Sequence, residues 1–205
     1  SGRSSGCLSS IVGRLRWRWL GRCSLVALVL YAVAIPVDLA VDPRHIAWPG
    51  WTTFAPLGLA ILVFVPLQAA GEEYAFRGTL LQMLGAWVPF SWLAVAITSV
   101  AFAAVHGHGP EVFVATLVSG ILMGWLAIRT GALEASIALH AVNNVTAFML
   151  TAASGGGDTL LSRLNHDISW ASVALGVLIQ VVYGAIVVEA LRKAKRPAGE
   201  RGVSP

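Results

Sequence analysis

Apolar residues in this chain come in long, nearly uninterrupted runs, with polar residues confined to short breaks between them. The runs read as helices over 20–41, 52–70, 72–88, 90–105, 111–128, 132–153 and 168–191. Several approach the ~20 residues that cross a hydrocarbon core. The breaks carry Pro43 and Pro49-Gly50, Pro89, Gly109-Pro110, Gly131 and a Gly-rich polar loop over 154–167, residues that end helices by removing a donor or admitting positive φ. Pro56 and Pro66 are expected to kink the second run. The pattern predicts an all-α polytopic transmembrane helical bundle of about six to seven helices, in one domain over 20–191. The Ser/Gly-rich and then basic residues 1–19 are expected to be a disordered amino-terminal segment, with Trp17 and Trp19 in an interfacial belt. Residues 192–205 are expected to be a flexible basic tail.

Composition sharpens this. The chain is 57% hydrophobic and 12% charged, with a mean hydropathy of +0.75, against about 25% charged residues in a soluble domain. The net charge of +4 comes mostly from the two ends. Arg14, Arg16, Arg18 and Arg22 precede the first run, and Arg192, Lys193, Lys195, Arg196 and Arg201 follow the last. Such flanks mark contact with anionic lipid, with no motif for nucleic acid. Basic residues at both ends call for an even number of crossings, whereas seven runs were counted. The chain begins at Ser1 and its first methionine is Met83, so a processed product or a fragment is expected. The Arg-rich start resembles a signal peptide, but the run after it is long enough to be a retained span. Cys7 and Cys23 build no disulfide framework or metal spacing. Cys23 at the basic border is read as a small apolar residue rather than an acylation site.

The chemistry lies in the polar residues inside the apolar runs. Gly71-Glu72-Glu73-Tyr74-Ala75-Phe76-Arg77-Gly78 puts two carboxylates and a guanidinium where the rest of 51–90 is uncharged. Each ionised side chain at mid-bilayer costs roughly 2.5–3.5 kcal/mol on insertion scales, so these need compensation or a function. Glu72 and His106 lie 34 residues apart with Pro89 halfway. Antiparallel helices about Pro89 would return both side chains to one depth. His140 and Asn144, at i and i+4, share a helical face. Glu73 and Arg77, also at i and i+4, suit an ion pair that leaves Glu72 without a cation, its pKa raised, as a base toward water. His106 would share that water, Phe102 would pack on its imidazole, and His140 and Asn144 would donate to an oxyanion. Plainer roles suffice elsewhere: His45 and His108 as loop residues, Glu111 and Glu134 as interfacial helix-start charges, Glu189 as a surface charge. Met83, Met123, Met149 and the tryptophans read as core or lipid contacts.

Three motifs, in this order, resemble those of the CAAX-protease and bacteriocin-processing membrane endopeptidases, which include the type II prenyl-protein endopeptidases. They are Glu72-Glu73-Tyr74-Ala75-Phe76-Arg77 for Glu-Glu-x-x-x-Arg, Phe102 with His106 for Phe-x-x-x-His, and His140 with Asn144 for His-x-x-x-Asn. The resemblance covers about 55–150. It implies an intramembrane endopeptidase in which Glu72 and His106 activate water and His140 and Asn144 form the oxyanion site. Glu73, Arg77 and Phe102 would support them. The implied substrate is a membrane-embedded or lipidated protein or peptide, cleaved by CAAX-type processing in a bacterial cytoplasmic membrane. Metal-free glutamate catalysis is expected. Zinc held by Glu72, His106 and His140 is the alternative, although His-Glu-x-x-His spacing is lacking and Arg77 disfavours a cation. A non-catalytic scaffold or bacteriocin-immunity protein that binds a membrane peptide is the competing function. A proton-coupled transporter is a third reading, weakened by the absence of paired repeats.

Overall fold

The computed structural model describes residues 8–10, 12–41, 48–106, 109–154 and 169–195. The expectations for His45, for His108, for the loop over 155–167 and for the tail from 196 fall outside these residues. Helix α1 runs Trp17–Val41 and α2 runs Trp51–Glu73. A π-helical segment, Tyr74–Leu80, joins α2 to α3, Leu81–Trp87. Then come α4 (Ser91–His106), α5 (Pro110–Thr130), α6 (Glu134–Ala153) and α7 (Trp170–Lys195). Among the described residues there is no strand, only one isolated bridge between Ser10 and Ala132.

The break expected at Ala70–Gly71 is not there. Residues Trp51–Trp87 form one continuous rod of 37 residues. Gly71 keeps its N–H, so nothing forces the helix open as a proline would. The helix instead passes through one widened stretch, Tyr74–Leu80. The Tyr74 N–H bonds the carbonyls of both Ala70 and Gly71. Thr79 Oγ1 donates back to the Tyr74 carbonyl at 3.0 Å, satisfying a backbone acceptor within the π segment. A single-turn π insertion of this kind is rare and commonly sits at a functional site. At ~1.5 Å per residue the rod is about 55 Å long, well beyond a ~30 Å hydrocarbon core, so a tilted or protruding helix follows. Counted as rods, the described helices number six. Five are long and apolar enough to span; α4 is shorter.

Helix α6 is the centre of the bundle. It packs against α1, α2, α5 and α7, and every residue from Glu134 to His140 is buried. Cys23, Ala27 and Tyr31 of α1, Met123 and Leu126 of α5, Ala138 and Leu139 of α6, and Tyr183 of α7 form the main core. Cys23 is therefore the small apolar core residue that was expected. Helices α4 and α5 approach closely because Gly120 and Gly124 face Ser99 and Val95, small residues letting the backbones come together. The outward faces are apolar: Leu59, Phe64, Leu67, Val105 and Leu178 are all exposed, with Trp17, Trp51, Trp87 and Trp170 at helix ends. Exposed apolar surface of this extent needs lipid around it.

Two expectations change at the amino end. Residues 8–10 and 12–16 are docked, not disordered, and α1 already begins at Trp17. The Ser9 carbonyl accepts the Leu133 N–H at 3.0 Å, and Ser9 Oγ and Tyr74 Oη lie 2.7 Å apart. Glu134 is not an interfacial charge but is fully buried. It receives the Arg16 backbone N–H at 2.8 Å and two bonds from the Arg16 side chain, each 3.0 Å. Hydrogen bonding to Glu134 holds the Arg16 guanidinium above its ordinary pKa. Both partners were visible in the sequence. Their 118-residue separation leaves no periodicity to link them.

Candidate active site

The turn at Pro89 brings α4 back alongside the rod, and Glu72 and His106 meet as their equal distances from that turn predicted. Glu72 Oε2 lies 3.1 Å from His106 Nε2 and 3.6 Å from His140 Nε2. Asn144 lines the same cavity of about 90 Å³ as His106 and His140. Glu72 borders two of these groups without lining that cavity. A larger cavity of about 460 Å³ touches Arg77 but none of these four residues. The candidate site centres on the smaller one, which both imidazoles and the Asn144 amide line and whose imidazoles contact the Glu72 carboxylate.

Hydrogen-bond direction limits the protonation states. The Phe102 carbonyl can only accept, so the His106 Nδ1, 2.8 Å away, carries a hydrogen. The Nε2–Oε2 contact with Glu72 then needs one more proton, held on one atom or the other. His140 is constrained in the same way from below. Its Nδ1 lies 2.9 Å from Glu73 Oε1, an acceptor when ionised, which turns Nε2 toward Glu72. A second hydrogen, at Nε2, would make both ring nitrogens donors.

Glu73 and Arg77 form the expected pair, 2.6 Å apart and almost completely buried. Arg77 also reaches the Gly120 carbonyl at 3.4 Å and lies 4.3 Å from the Phe102 ring centroid. Glu73 Oε1 serves both Arg77 and His140, while its buried Oε2 has no hydrogen-bond partner among the described residues. Phe102 packs on His106 with ring centroids 4.3 Å apart, as expected, and also meets His140 edge-on at 5.6 Å. It therefore spaces both imidazoles and the guanidinium.

The idea of an unpartnered Glu72 needs correcting. Besides the imidazoles, Gln68 Nε2 donates to Glu72 Oε1 at 2.9 Å. Gln68 sits four residues before Glu72 on the same face, a spacing that could have revealed it. Two further residues were not given a role by the sequence. Tyr31 Oη donates to Asn143 Oδ1 at 2.6 Å, and Asn143 Nδ2 donates to Asn144 Oδ1 at 3.1 Å. That chain takes up the Asn144 carbonyl and leaves its N–H groups for the cavity. Asn143 was adjacent to a motif residue, but nothing local ties it to Tyr31 on α1. Among the described residues, no group of three or more His, Cys, Asp and Glu side chains is arranged to hold a metal ion.

Residues 51–146 match the family described as type II CAAX prenyl endopeptidase Rce1-like; they contain all four predicted site residues. The chain is also similar to the uncharacterized protein YyaK of Bacillus subtilis (strain 168), 24% identical over 196 residues. That match covers 89% of this chain and 65% of the relative, so the chain spans about two thirds of the relative's length. No solved structure matches significantly. Residues 51–146, just under half of the chain, are thus similar to the type II CAAX prenyl endopeptidase Rce1-like family.

Proposed function

We propose that this protein is an intramembrane endopeptidase that hydrolyses a peptide bond in a membrane-embedded or lipidated protein or peptide, in CAAX-type processing. The observation that carries the reading is the convergence of two imidazole Nε2 atoms on one Glu72 carboxylate oxygen, at 3.1 and 3.6 Å. Glu72 and His106, with one proton between them, take a proton from a water and aim it at the scissile carbonyl; such general-base assistance contributes about 10²–10⁴ in rate. The carbonyl oxygen gains charge as the C–O bond to water forms. The His140 Nε2–H and the Asn144 amide N–H donate to it, each such donor contributing about 10²–10³. The proton held at Glu72 then passes to the amine as the C–N bond breaks. Glu73, itself held by Arg77, orients His140. The reaction uses no metal, and a bacterial cytoplasmic membrane is its setting, in keeping with the Bacillus relative.

The test is cleavage of a membrane-anchored reporter peptide by purified protein in liposomes. Glu72→Gln and His106→Ala are expected to lose at least about 10²-fold in kcat while accumulating at wild-type level. Full hydrolysis by Glu72→Gln would refute the assignment of the base. Full biological complementation by an inert Glu72→Gln protein would instead favour a peptide-binding scaffold or immunity protein.

A further inference from the structure

The space beside the reacting groups has features that hydrolysis itself does not use. The cavity of about 90 Å³ is walled by His106 of α4, Ser119 of α5, His140 and Asn144 of α6, and Gln180 of α7. Gln180 interrupts the apolar run Val177-Leu178-Ile179-Gln180-Val181-Val182. It is only 6% exposed, and its Oε1 has no hydrogen-bond partner among the described residues. A leucine at 180 would carry no such stranded group, so the amide needs a partner that comes and goes. Ser119 Oγ donates to the Ala115 carbonyl at 2.8 Å, which leaves its lone pairs to accept from a ligand. No Asp, Glu, Lys or Arg lines this cavity.

Size narrows the choice further. At about 90 Å³ the cavity holds a few waters or one short side chain.

We propose that this cavity is a substrate subsite for a short, uncharged polar side chain, a carboxamide or a hydroxyl, on the residue next to the scissile bond. The inference rests on the peptidase reading and deepens it. A substrate carboxamide can donate to Gln180 and accept from it in the same contact. An apolar side chain of equal size leaves the Gln180 amide stranded, and sites built around a hydrogen bond discriminate strongly against analogues that lack it. An acidic side chain would bring a second negative charge close to Glu72.

The experiment uses the full chain in liposomes with a pool of membrane-anchored peptides varied along one segment, the products being sequenced by mass spectrometry. Wild type is expected to favour Asn, Gln, Ser or Thr on one side of the cut by at least about 10-fold in kcat/KM over Leu. In Gln180→Leu that preference should shrink to within about threefold, because cleavage at Leu rises. Ser119→Ala, on another helix, should weaken it as well and provides the test if Gln180→Leu does not fold. Cleavage by wild type without such a preference, or a preference unchanged in a folded variant, overturns the subsite while leaving the peptidase reading standing. No cleavage of any peptide by wild type overturns both.

Discussion

Removing Arg77 should be far more damaging than removing an ordinary membrane-protein side chain. The guanidinium is 2% exposed and its partner Glu73 is fully buried, 2.6 Å away. Arg77→Met deletes that bond and the cation 4.3 Å from the Phe102 ring, and leaves a carboxylate in an apolar core with only His140 to bond. A charge-assisted hydrogen bond contributes about 1.5–3 kcal/mol, and stranding its buried acceptor adds about 1–3. The expected loss is therefore about 3–5 kcal/mol, the range seen when one partner of a buried pair is removed. Glu73→Gln/Arg77→Met removes both charges and should recover at least about 2 kcal/mol of it. Activity should not recover. Without the Glu73 carboxylate His140 loses the partner 2.9 Å from its Nδ1 that orients the ring, so kcat should stay down by roughly 10²-fold, as for one lost oxyanion donor. The assay is a double-mutant cycle on unfolding in mixed detergent micelles, followed by circular dichroism. A loss below about 1 kcal/mol for Arg77→Met, or single-variant losses that add to within about 0.5 kcal/mol in the double, would refute the reasoning.

Other outcomes follow from the same coordinates. A Cβ on Gly120 would meet Ser99 Cβ at 3.0 Å and Ser99 Cα at 3.2 Å. Gly120→Ala should therefore cost about 1–3 kcal/mol by prising α4 from α5. Gly176→Ala, which meets nothing within 4 Å, should stabilise α7 slightly in the same detergent titration; equal effects of the two would contradict the packing. Tyr31→Phe strands the Asn143 Oδ1 that Tyr31 now bonds at 2.6 Å and frees Asn144 to turn its carbonyl toward the cavity. Steady-state kinetics should show kcat lowered about 10-fold with KM unchanged, the mark of an interaction made only in the transition state. Incubation with 1,10-phenanthroline should leave hydrolysis unchanged. Inhibition reversed by zinc would instead establish the alternative in which Glu72, His106 and His140 bind the metal.

The sequence by itself determined the helical membrane bundle, because apolar runs near twenty residues have few other stable forms, and it determined where most helices end. It also picked out Glu72, His106, His140 and Asn144. Charged and amide groups inside such runs are expensive enough to stand out, and the Pro89 turn makes the Glu72–His106 meeting a matter of counting residues. The local Glu73–Arg77 pair was legible for the same reason: i,i+4 neighbours need no tertiary knowledge. Only the tertiary structure decided that the rod continues through Gly71 with a π segment, since a widened turn and a break share one local sequence. It alone joined Arg16 to Glu134, Tyr31 to Asn143 and Gln180 to the cavity beside His106 and His140. Each of those contacts joins residues on segments far apart in the chain, and their side-chain types, common in loops and interfaces, carry no sign of the partner until the helices pack.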